Sequence, residues 1–388
     1  MGAVVPNPYI DDSHRQLAET ARGFARDQIV PYLPDWERAG LIPRDLSRQA
    51  AELGLLGLGY PPEVGGSGGD FFHVMTLIEE ILAAGGSIGV MSGVLGHGIV
   101  SPLIMAAGTD EQIERWVRPV LAGEQLCALA ITEPGAGSDV AGIATRAVRD
   151  GDHYVVDGEK TFISNGVRAD FVLTAVATGD GGGHHGLSLL VIEKGTPGFE
   201  VSGSLDKMGW LCSDTAMLSF DGCRVPVDNR IGDENAGFRP AMRNFEGERL
   251  IMATQCYATA QRCVDLSRRY LQEREAFGAP LASQQVLRHK LAEMARRTDV
   301  AREYTRRVAD RYRAGEDGLA SQVAMAKNTA VEALDFVVDA AVQIHGGYGY
   351  IREFEVERHY RDARVMGIGG GTVEIMNEII AKQLFAGT

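Results

Sequence analysis

Residues 130–142 read AITEPGAGSDVAG and begin at the end of an apolar run, residues 128–131. The apolar residues predict a buried strand, and the glycines and short polar side chains after them predict a loop. Because glycine has no Cβ, the backbone of such a loop can approach a flat or anionic ligand closely. Many strand ends share this composition, so the run alone indicates a ligand loop without specifying the ligand.

A second distinctive run lies near the other end of the chain, where residues 343–350 read QIHGGYGY. Glu353, Arg358 and Asp362 follow it. The two runs begin 213 positions apart and resemble, in order, the two signature sequences of the acyl-CoA dehydrogenase family. The resemblance covers nearly the whole chain, from about residue 11 to residue 384. It implies a helical domain, then a β domain, then a helical bundle.

Hydrophobic periodicity predicts the same order of segment types. A 3.6-residue period, typical of amphipathic helices, runs through most of residues 11–123. Short runs rich in Val, Phe and Thr alternate with Gly, Asp and Pro over residues 126–231, which predicts a small sandwich or barrel. Four long helical stretches then predict an antiparallel bundle. They cover about residues 238–275, 283–314, 319–345 and 372–385.

The length of 388 residues is compatible with two or three domains, at about 150 residues each. We expect an α+β protein, mostly α. It has an N-terminal helical domain at residues 1–125, a middle β-barrel or sandwich domain at 126–235 and a C-terminal four-helix bundle at 236–388.

Composition excludes several classes of partner and site. Acidic residues number 52 against 38 Lys and Arg, and this net charge of −14 argues against nucleic acid or an anionic membrane. The same charge would repel a polyanionic CoA ester, so a CoA site needs local cations. No run of about 18 apolar residues predicts a membrane span, and the first 12 residues show no signal peptide.

The cysteines and histidines do not show metal-ligand spacing. Five scattered cysteines are expected to be reduced thiols, which together with the missing signal peptide predicts a cytoplasmic protein. They are Cys127, Cys212, Cys223, Cys256 and Cys263. The adjacent pair His184 and His185 is expected to be solvated in a loop, and no metal site is predicted.

The family resemblance implies an FAD-dependent enzyme that converts an acyl thioester to a trans-2-enoyl thioester. The implied substrate is an acyl-CoA or an acyl carrier protein thioester, and the implied electron acceptor is an electron-transfer flavoprotein. Two alternatives stay open. One is a flavin oxidase or monooxygenase on the same fold, and the other is a non-catalytic partner subunit of a hetero-oligomeric dehydrogenase. Motifs for both halves of the site are present, which argues against the second.

Matching positions imply a set of cofactor contacts. Phe162 stands where many relatives have Trp, and Arg274 in REAFG is implied to pair with the cofactor pyrophosphate, a role that suits a guanidinium fork. Part of this set is implied to come from a neighbouring subunit, which predicts a tetramer or dimer. The implied FAD contacts are Leu129, Thr132, Ser138, Phe162, Ile163, Ser164, Arg274, Phe277, Gln284, Gln285, Gln343, Gly346, Gly347, Thr372 and Glu374.

The position of the catalytic base departs from the commonest family pattern. Residues 366–375 read MGIGGGTVEI, and Gly370 occupies the place where many relatives carry the catalytic glutamate. Isovaleryl- and long-chain-type relatives place the base on an earlier helix instead, in a Glu-Arg pair that Glu248 and Arg249 match. The implied substrate contacts are Ser138, Glu246, Arg249, Gly370 and Gly371.

Periodicity does not choose between the two glutamates of FEGERL, residues 245–250. Glu248 falls on the same helix face as Met252, but Glu246 also has apolar neighbours. The resemblance alone selects Glu248 as the base. The three glycines are further expected to leave space for a branched or bulky acyl group.

Overall fold

The computed structural model describes residues 8–179 and 186–386. Its first region is helical, as the periodicity predicts, and two π-helical turns, Ala25–Ile29 and Ile113–Val117, continue its helices. The helices are α1 Asp12–Phe24, α2 Leu33–Ala39, α3 Asp45–Glu52, α4 Phe71–Ala84, α5 Ile88–Val94, α6 Ser101–Ala107, α7 Asp110–Gln112 and α8 Arg118–Leu121.

Helices α1 and α4 begin with the same capping arrangement. Asp11 and Asp70 each accept N–H groups of the first turn, and the N–H of each aspartate donates to a histidine three residues later. These two rings, His14 and His73, have centroids 3.7 Å apart, and His14 Nε2 lies 3.2 Å from Asp70 Oδ1. The caps satisfy N–H groups that a helix start otherwise leaves unpaired, and they join the two helices.

The middle region forms one eight-stranded sheet in the order β6-β7-β3-β2-β4-β5-β8, with β1 pairing in parallel with β4. The strands are β1 Cys127–Ala130, β2 Arg146–Asp150, β3 His153–Ser164, β4 Phe171–Ala177, β5 Leu187–Glu193, β6 Phe199–Ser204, β7 Thr215–Pro226 and β8 Arg230–Ile231.

Both faces of the central strand β4 are buried, so its sequence is a continuous apolar run. Leu173 packs with Trp116 of the helical region on one face, while Val172 packs with Tyr154 of the sheet on the other. The first region therefore covers one side of the sheet. The predicted β domain between two helical regions is confirmed.

The C-terminal region contains the longest helices. Helices α9, α10 and α11 pack on one another, and α13 packs on α11. A hairpin of β9 and β10 follows α9. Neither this hairpin nor α12 was predicted from the sequence. The elements are α9 Phe238–Glu273, β9 Glu275–Ala276, β10 Ala279–Pro280, α10 Gln285–Arg313, α11 Ala320–His345, α12 Glu355–Ala363 and α13 Val373–Phe385.

Two predictions from composition can be compared with this fold. All five cysteines are buried and free of disulfide bonds. Among the described residues, no single helix is long and apolar enough to cross a membrane. The bent pair Ile88–Val94 and Gly96–Ala107, with 67° between its parts, reaches that length and composition only when both parts are counted together.

Candidate active site

Helix α9 contacts the glycine loop 369–371 beside Glu248. Arg249 Nε donates to the carbonyl of Gly370 at 3.0 Å. Gly370 and Gly371 have φ of 63° and 96°, a backbone region that strains residues with a Cβ. Within the described part of the chain, the N–H groups of these two glycines have no acceptor. The loop thus presents two free donors near the predicted base.

The Glu248 side chain is half-buried, and one of its two carboxyl oxygens is withdrawn from solvent. Its Oε2 atom is buried and has no hydrogen-bond partner among the described residues. Burial raises the pKa of this carboxyl to about 7, while the nearby charges of Arg249 and Lys327 favour its ionised form. A carboxylate with a raised pKa is a stronger base that still ionises near neutral pH. Glu248 therefore has the environment that a general base needs.

Two methionines occupy the space beside the glycine loop. A Cβ built on Gly370 would lie 2.5 Å from Met252 Sδ, and one on Gly371 would lie 2.6 Å from Met376 Cε. The expectation that the glycines leave space for a bulky acyl group is therefore wrong in these directions. The missing side chains are replaced by methionines from α9 and α13, since protein interiors are close-packed.

The glycine-containing loop that follows β1 is attached to strand β3. Thr161 N–H donates to the carbonyl of Thr132 at 2.9 Å. Lys160 Nζ donates to Glu133 Oε1 at 2.8 Å, and both of these side chains are buried. Glu133 also accepts the N–H groups of Ala144 and Thr145. These bonds bring Thr132 next to the end of β3, where Phe162, Ile163 and Ser164 follow.

Phe162 combines two unusual properties. Its φ is 59°, which is rare for a residue with a side chain, and its ring is 65% exposed. The strand pairing of β3 with β7 is irregular between Lys160 and Ile163, so a bulge turns the ring outward. Strained backbone that exposes an aromatic ring is typical of ligand sites.

A cavity of about 440 Å³ lies at the other end of α9. Arg274 lines it, and its guanidinium carbon lies 5.8 Å from the centroid of the Tyr348 ring. Gly346 and Gly347 also line it, and Phe277, three residues after Arg274, is 95% exposed. The full lining is Tyr270, Arg274, Leu281, Ile344, His345, Gly346, Gly347, Tyr348 and Ile351. One cation and two glycines in a cavity suit a pyrophosphate group.

Sequence models of three acyl-CoA dehydrogenase domains match this chain. The N-terminal domain matches residues 11–124, the middle domain residues 128–223 and the C-terminal domain residues 235–385. The chain belongs to the acyl-CoA dehydrogenase family. The family resemblance and the fold class predicted from the sequence are thereby confirmed, as is an oxidoreductase acting on a CH–CH group.

Individual acyl-CoA dehydrogenases match along most of their length. Mitochondrial isobutyryl-CoA dehydrogenase of Dictyostelium discoideum is 35% identical over 383 residues, which are 98% of this chain and 92% of that protein. The mitochondrial long-chain specific acyl-CoA dehydrogenase of Rattus norvegicus is 37% identical, covering 96% of this chain and 86% of that protein. A crystal structure of a probable acyl-CoA dehydrogenase from Mycobacterium abscessus has 59% identity and a TM-score of 0.95, covering 96% of this chain and 99% of that one.

The other implied cofactor positions of this acyl-CoA dehydrogenase fall into two groups. Leu129 on β1 and Ser138 in the following loop belong to the middle region, where Leu129 is half-buried and Ser138 exposed. Gln284, Gln285 and Gln343 lie at the start of α10 and near the end of α11. The three glutamines therefore lie close in sequence to Leu281 and Ile344, which line the Arg274 cavity.

At the start of α13, Thr372 Oγ1 accepts the N–H of Ile375 at 3.2 Å, and Glu374 is exposed in the first turn. Both side chains therefore follow directly on the glycine loop. Glu246 is half-buried on α9. His184 and His185 lie outside the described residues.

Sequence reasoning missed Lys327, which is 1% exposed on α11. Its ammonium donates to the carbonyl of Gly369 at 2.5 Å and to that of Gly371. The available signal is a lysine on the apolar face of α11, in the run AMAKNTA. That signal is weak because lysine stems often cover apolar surface while the charge stays in water.

Proposed function

We propose that Glu248 is the base that removes the α-proton of an acyl-CoA substrate in this dehydrogenase. The observation that carries the proposal is the buried, unpartnered Glu248 Oε2, whose neighbour Arg249 binds the loop that offers the free N–H groups of Gly370 and Gly371. An unpaired buried carboxylate is unfavourable for folding, so such a group points to a function. Gly370 itself offers no carboxylate.

The proton moves from the substrate α-carbon to the ionised Glu248 carboxylate. Negative charge then develops on the thioester oxygen, and two N–H donors aimed at that oxygen would stabilise it. The loop donors of Gly370 and Gly371 are free to do so. Burial of Glu248 Oε2 shields this oxygen from water and strengthens these interactions.

The residues fit FAD as the cofactor. The exposed ring of Phe162, held by strained backbone next to Thr132, offers a stacking face to a flat ring system. The cavity at Arg274, Gly346 and Gly347 suits the pyrophosphate. When bound, FAD supplies the acceptor for the β-hydride.

The two halves of one cofactor site belong to different subunits in this proposal. Arg274 caps α9 26 residues after Glu248, which at about 1.5 Å per residue places their backbones about 39 Å apart. That separation exceeds the reach of one dinucleotide between a substrate and its pyrophosphate. Arg274 of one chain therefore completes the site of a second chain, which supports the implied dimer or tetramer.

The names of the two curated relatives support a CoA thioester as substrate, since they specify isobutyryl-CoA and long-chain acyl-CoA substrates of those proteins. We propose an electron-transfer flavoprotein as electron acceptor, as the family resemblance implies. Anaerobic bleaching of the flavin by a panel of acyl-CoA esters identifies the preferred acyl group. Rapid oxidation of the bleached enzyme by oxygen, at the rate of turnover, would favour an oxidase instead.

Glu248→Gln tests the assigned base. The variant is expected to retain FAD and to lose flavin reduction at least about 10³-fold, within the range for a general base. Glu246→Gln serves as the comparison, because the sequence left that residue as an alternative. Near-normal bleaching in Glu248→Gln would reject the assignment, and a larger loss in Glu246→Gln would transfer the role to Glu246.

A further inference from the structure

Two buried cations bind the three carbonyls of the glycine loop. Lys327 on α11 donates to the carbonyls of Gly369 and Gly371, and Arg249 on α9 donates to that of Gly370 at 3.0 Å. Both cationic side chains are buried, with residue exposures of 1% and 8%. The loop is therefore held from two helices that are distant in sequence.

This binding fixes the direction of the loop N–H groups. A trans peptide points its N–H opposite to its C=O. The carbonyl of Gly369 and the N–H of Gly370 belong to one peptide, so Lys327 turns that N–H away from α11. Arg249 binds the carbonyl of Gly370 and so turns the N–H of Gly371 away from its own guanidinium. The two donors proposed for the thioester oxygen thus take their direction from the two cations.

The hydrogen bonds to the loop carbonyls do not require a positive charge at position 327. Neutral donors would satisfy them, and burial of an ammonium is unfavourable, as the lowering of the Lys327 pKa to about 8 reflects. Among the described residues no carboxylate forms an ion pair with Lys327. Two acidic side chains interact with Lys327 electrostatically, the Cys256 thiol and the Glu248 carboxyl.

The charged groups around Glu248 come from two helices. Arg249 lies beside it on α9, and Lys327 approaches from α11; both favour the carboxylate over the carboxylic acid. Glu246 on α9 interacts with Arg249. The Cys256 thiol next to Lys327 stays neutral, because burial raises its pKa. Lys327 is thus the cation that a second element brings to the base.

We propose that Lys327 is a positioning residue of the dehydrogenation: it holds the Gly369–Gly371 loop so that its N–H groups face the substrate, and its charge favours the ionised form of Glu248. This inference rests on the proposed role of Glu248. Lys327 itself does not touch the reacting atoms in this proposal. It acts through the loop and through the field at the base.

Three variants of Lys327 separate its charge from its hydrogen bonds. Lys327→Met removes both, Lys327→Gln keeps a neutral donor, and Lys327→Arg keeps the charge. Exposed Lys382 on α13, as Lys382→Met, is the control for the loss of one positive charge. For each holoenzyme, the rate of anaerobic flavin reduction by a saturating acyl-CoA is measured from pH 5 to pH 9.

In the Met and Gln variants, the acidic limb of the rate profile is expected to move to higher pH by about one unit. A nearby opposite charge changes a carboxyl pKa by about one to three units, and this shift is at the lower end of that range. Lys327→Arg and Lys382→Met are expected to keep the wild-type limb. If Lys327→Met does not accumulate as folded holoenzyme, Lys327→Gln gives the decisive measurement. An unmoved limb in the folded variants overturns the proposal.

Hydrogen exchange of the holoenzyme gives a readout without turnover. Peptides over residues 368–376 are expected to exchange faster in Lys327→Met than in Lys382→Met, and unchanged exchange in the Met variant overturns the loop-holding role. Failure of the proposed function is distinguishable, since it appears as normal flavin reduction in Glu248→Gln. The exchange measurement does not depend on that result.

Discussion

The sulfur of Met252 lies 2.5 Å from the point that a Cβ on Gly370 would occupy. Real Cβ atoms do not come so close to a heavy atom, so residue 370 is restricted to glycine as long as Met252 keeps this position. The positive φ of Gly370 imposes the same restriction independently. Met252 and Gly370 therefore form a complementary pair across α9 and the loop.

Gly370→Ala is expected to destabilise the protein by about 2–4 kcal/mol, through overpacking and left-handed backbone strain. Gly369→Ala is the matched control, because a Cβ there would approach no described atom closer than 3.6 Å. Urea unfolding measures both variants. Adding Met252→Ala to Gly370→Ala should restore the part of the stability that is lost through overpacking. Equal stabilities of Gly370→Ala and Gly369→Ala would contradict this account.

Met252→Ala is expected to favour branched acyl-CoA esters. The shortened side chain opens space one helical turn from Glu248, and one methylene in a filled pocket is worth about 1–3 kcal/mol. The ratio of kcat/KM for isovaleryl-CoA to that for butyryl-CoA should therefore rise about tenfold or more. Met376→Ala, at the far side of the loop, is the comparison. An unchanged ratio in Met252→Ala would place the acyl group elsewhere.

The pH dependence of the wild-type enzyme follows from the raised pKa of Glu248, about 7. Below this pH the carboxyl is protonated and does not accept the α-proton, so flavin reduction should fall about tenfold per pH unit on the acid side. A stopped-flow profile measures it. A flat profile between pH 5 and pH 8 would be incompatible with Glu248 as the base.

The same group links stability to pH. Folded Glu248 holds its proton up to about pH 7, whereas an unfolded glutamate loses it near about pH 4.3. Between these values the folded state binds more protons, so the free energy of unfolding falls as pH rises through the window. Glu248→Gln lacks this dependence. Its melting temperature relative to wild type should therefore rise from pH 5 to pH 8, and a constant difference would argue against the shift.

Lys160→Met is expected to destabilise the protein by about 3–5 kcal/mol, because it leaves the buried Glu133 carboxylate without its cation. FAD should be lost as well, since this pair positions the loop at Thr132. The double variant Glu133→Gln with Lys160→Met removes the stranded charge and should be more stable than Lys160→Met alone. Urea unfolding and the flavin absorbance of the purified proteins give the two readouts.

Phe277→Asp is expected to dissociate the assembly and release FAD. Phe277 is 95% exposed and lies three residues after Arg274, where we propose that a second subunit binds. Phe277→Tyr keeps the ring and serves as control. Light scattering of the wild type should show a homo-oligomer. An FAD-replete species near the chain mass of 41.8 kDa would refute the shared site.

The long helices could be predicted closely from the sequence. Periodicity over residues 319–345 predicts α11, which runs from Ala320 to His345. A helix was also expected to continue to residue 275, but α9 ends at Glu273 because Glu275 and Ala276 pair with Ala279 and Pro280 in a hairpin. Helix α12 was missed since it has only nine residues and its buried face includes the polar side chains of His359 and Asp362, which leaves no apolar stripe.

Site residues could be predicted from the sequence only where they belong to one short contiguous motif. Periodicity on α9 treats Glu246 and Glu248 alike, and both residues are half-buried; what distinguishes Glu248 is its unpartnered Oε2 and the charge of Lys327 on another helix. Lys327 reaches the glycine loop from 42 residues away in sequence, and Met252 fills the place of a side chain at residue 370. Such pairs have no sequence spacing of their own, so only the folded chain brings them together.

Helix α9 carries Glu248 near one end and is capped by Arg274 at the other, and we propose that these two residues serve different cofactors. Two chains that are each inactive should therefore restore one another. A subunit with Glu248→Gln still offers its arginine, and a subunit with Arg274→Gln still offers its glutamate. Mixed assemblies of the two, refolded or coexpressed, would contain some sites built entirely from unaltered residues, and dehydrogenase activity would return in the mixture although neither chain has it alone.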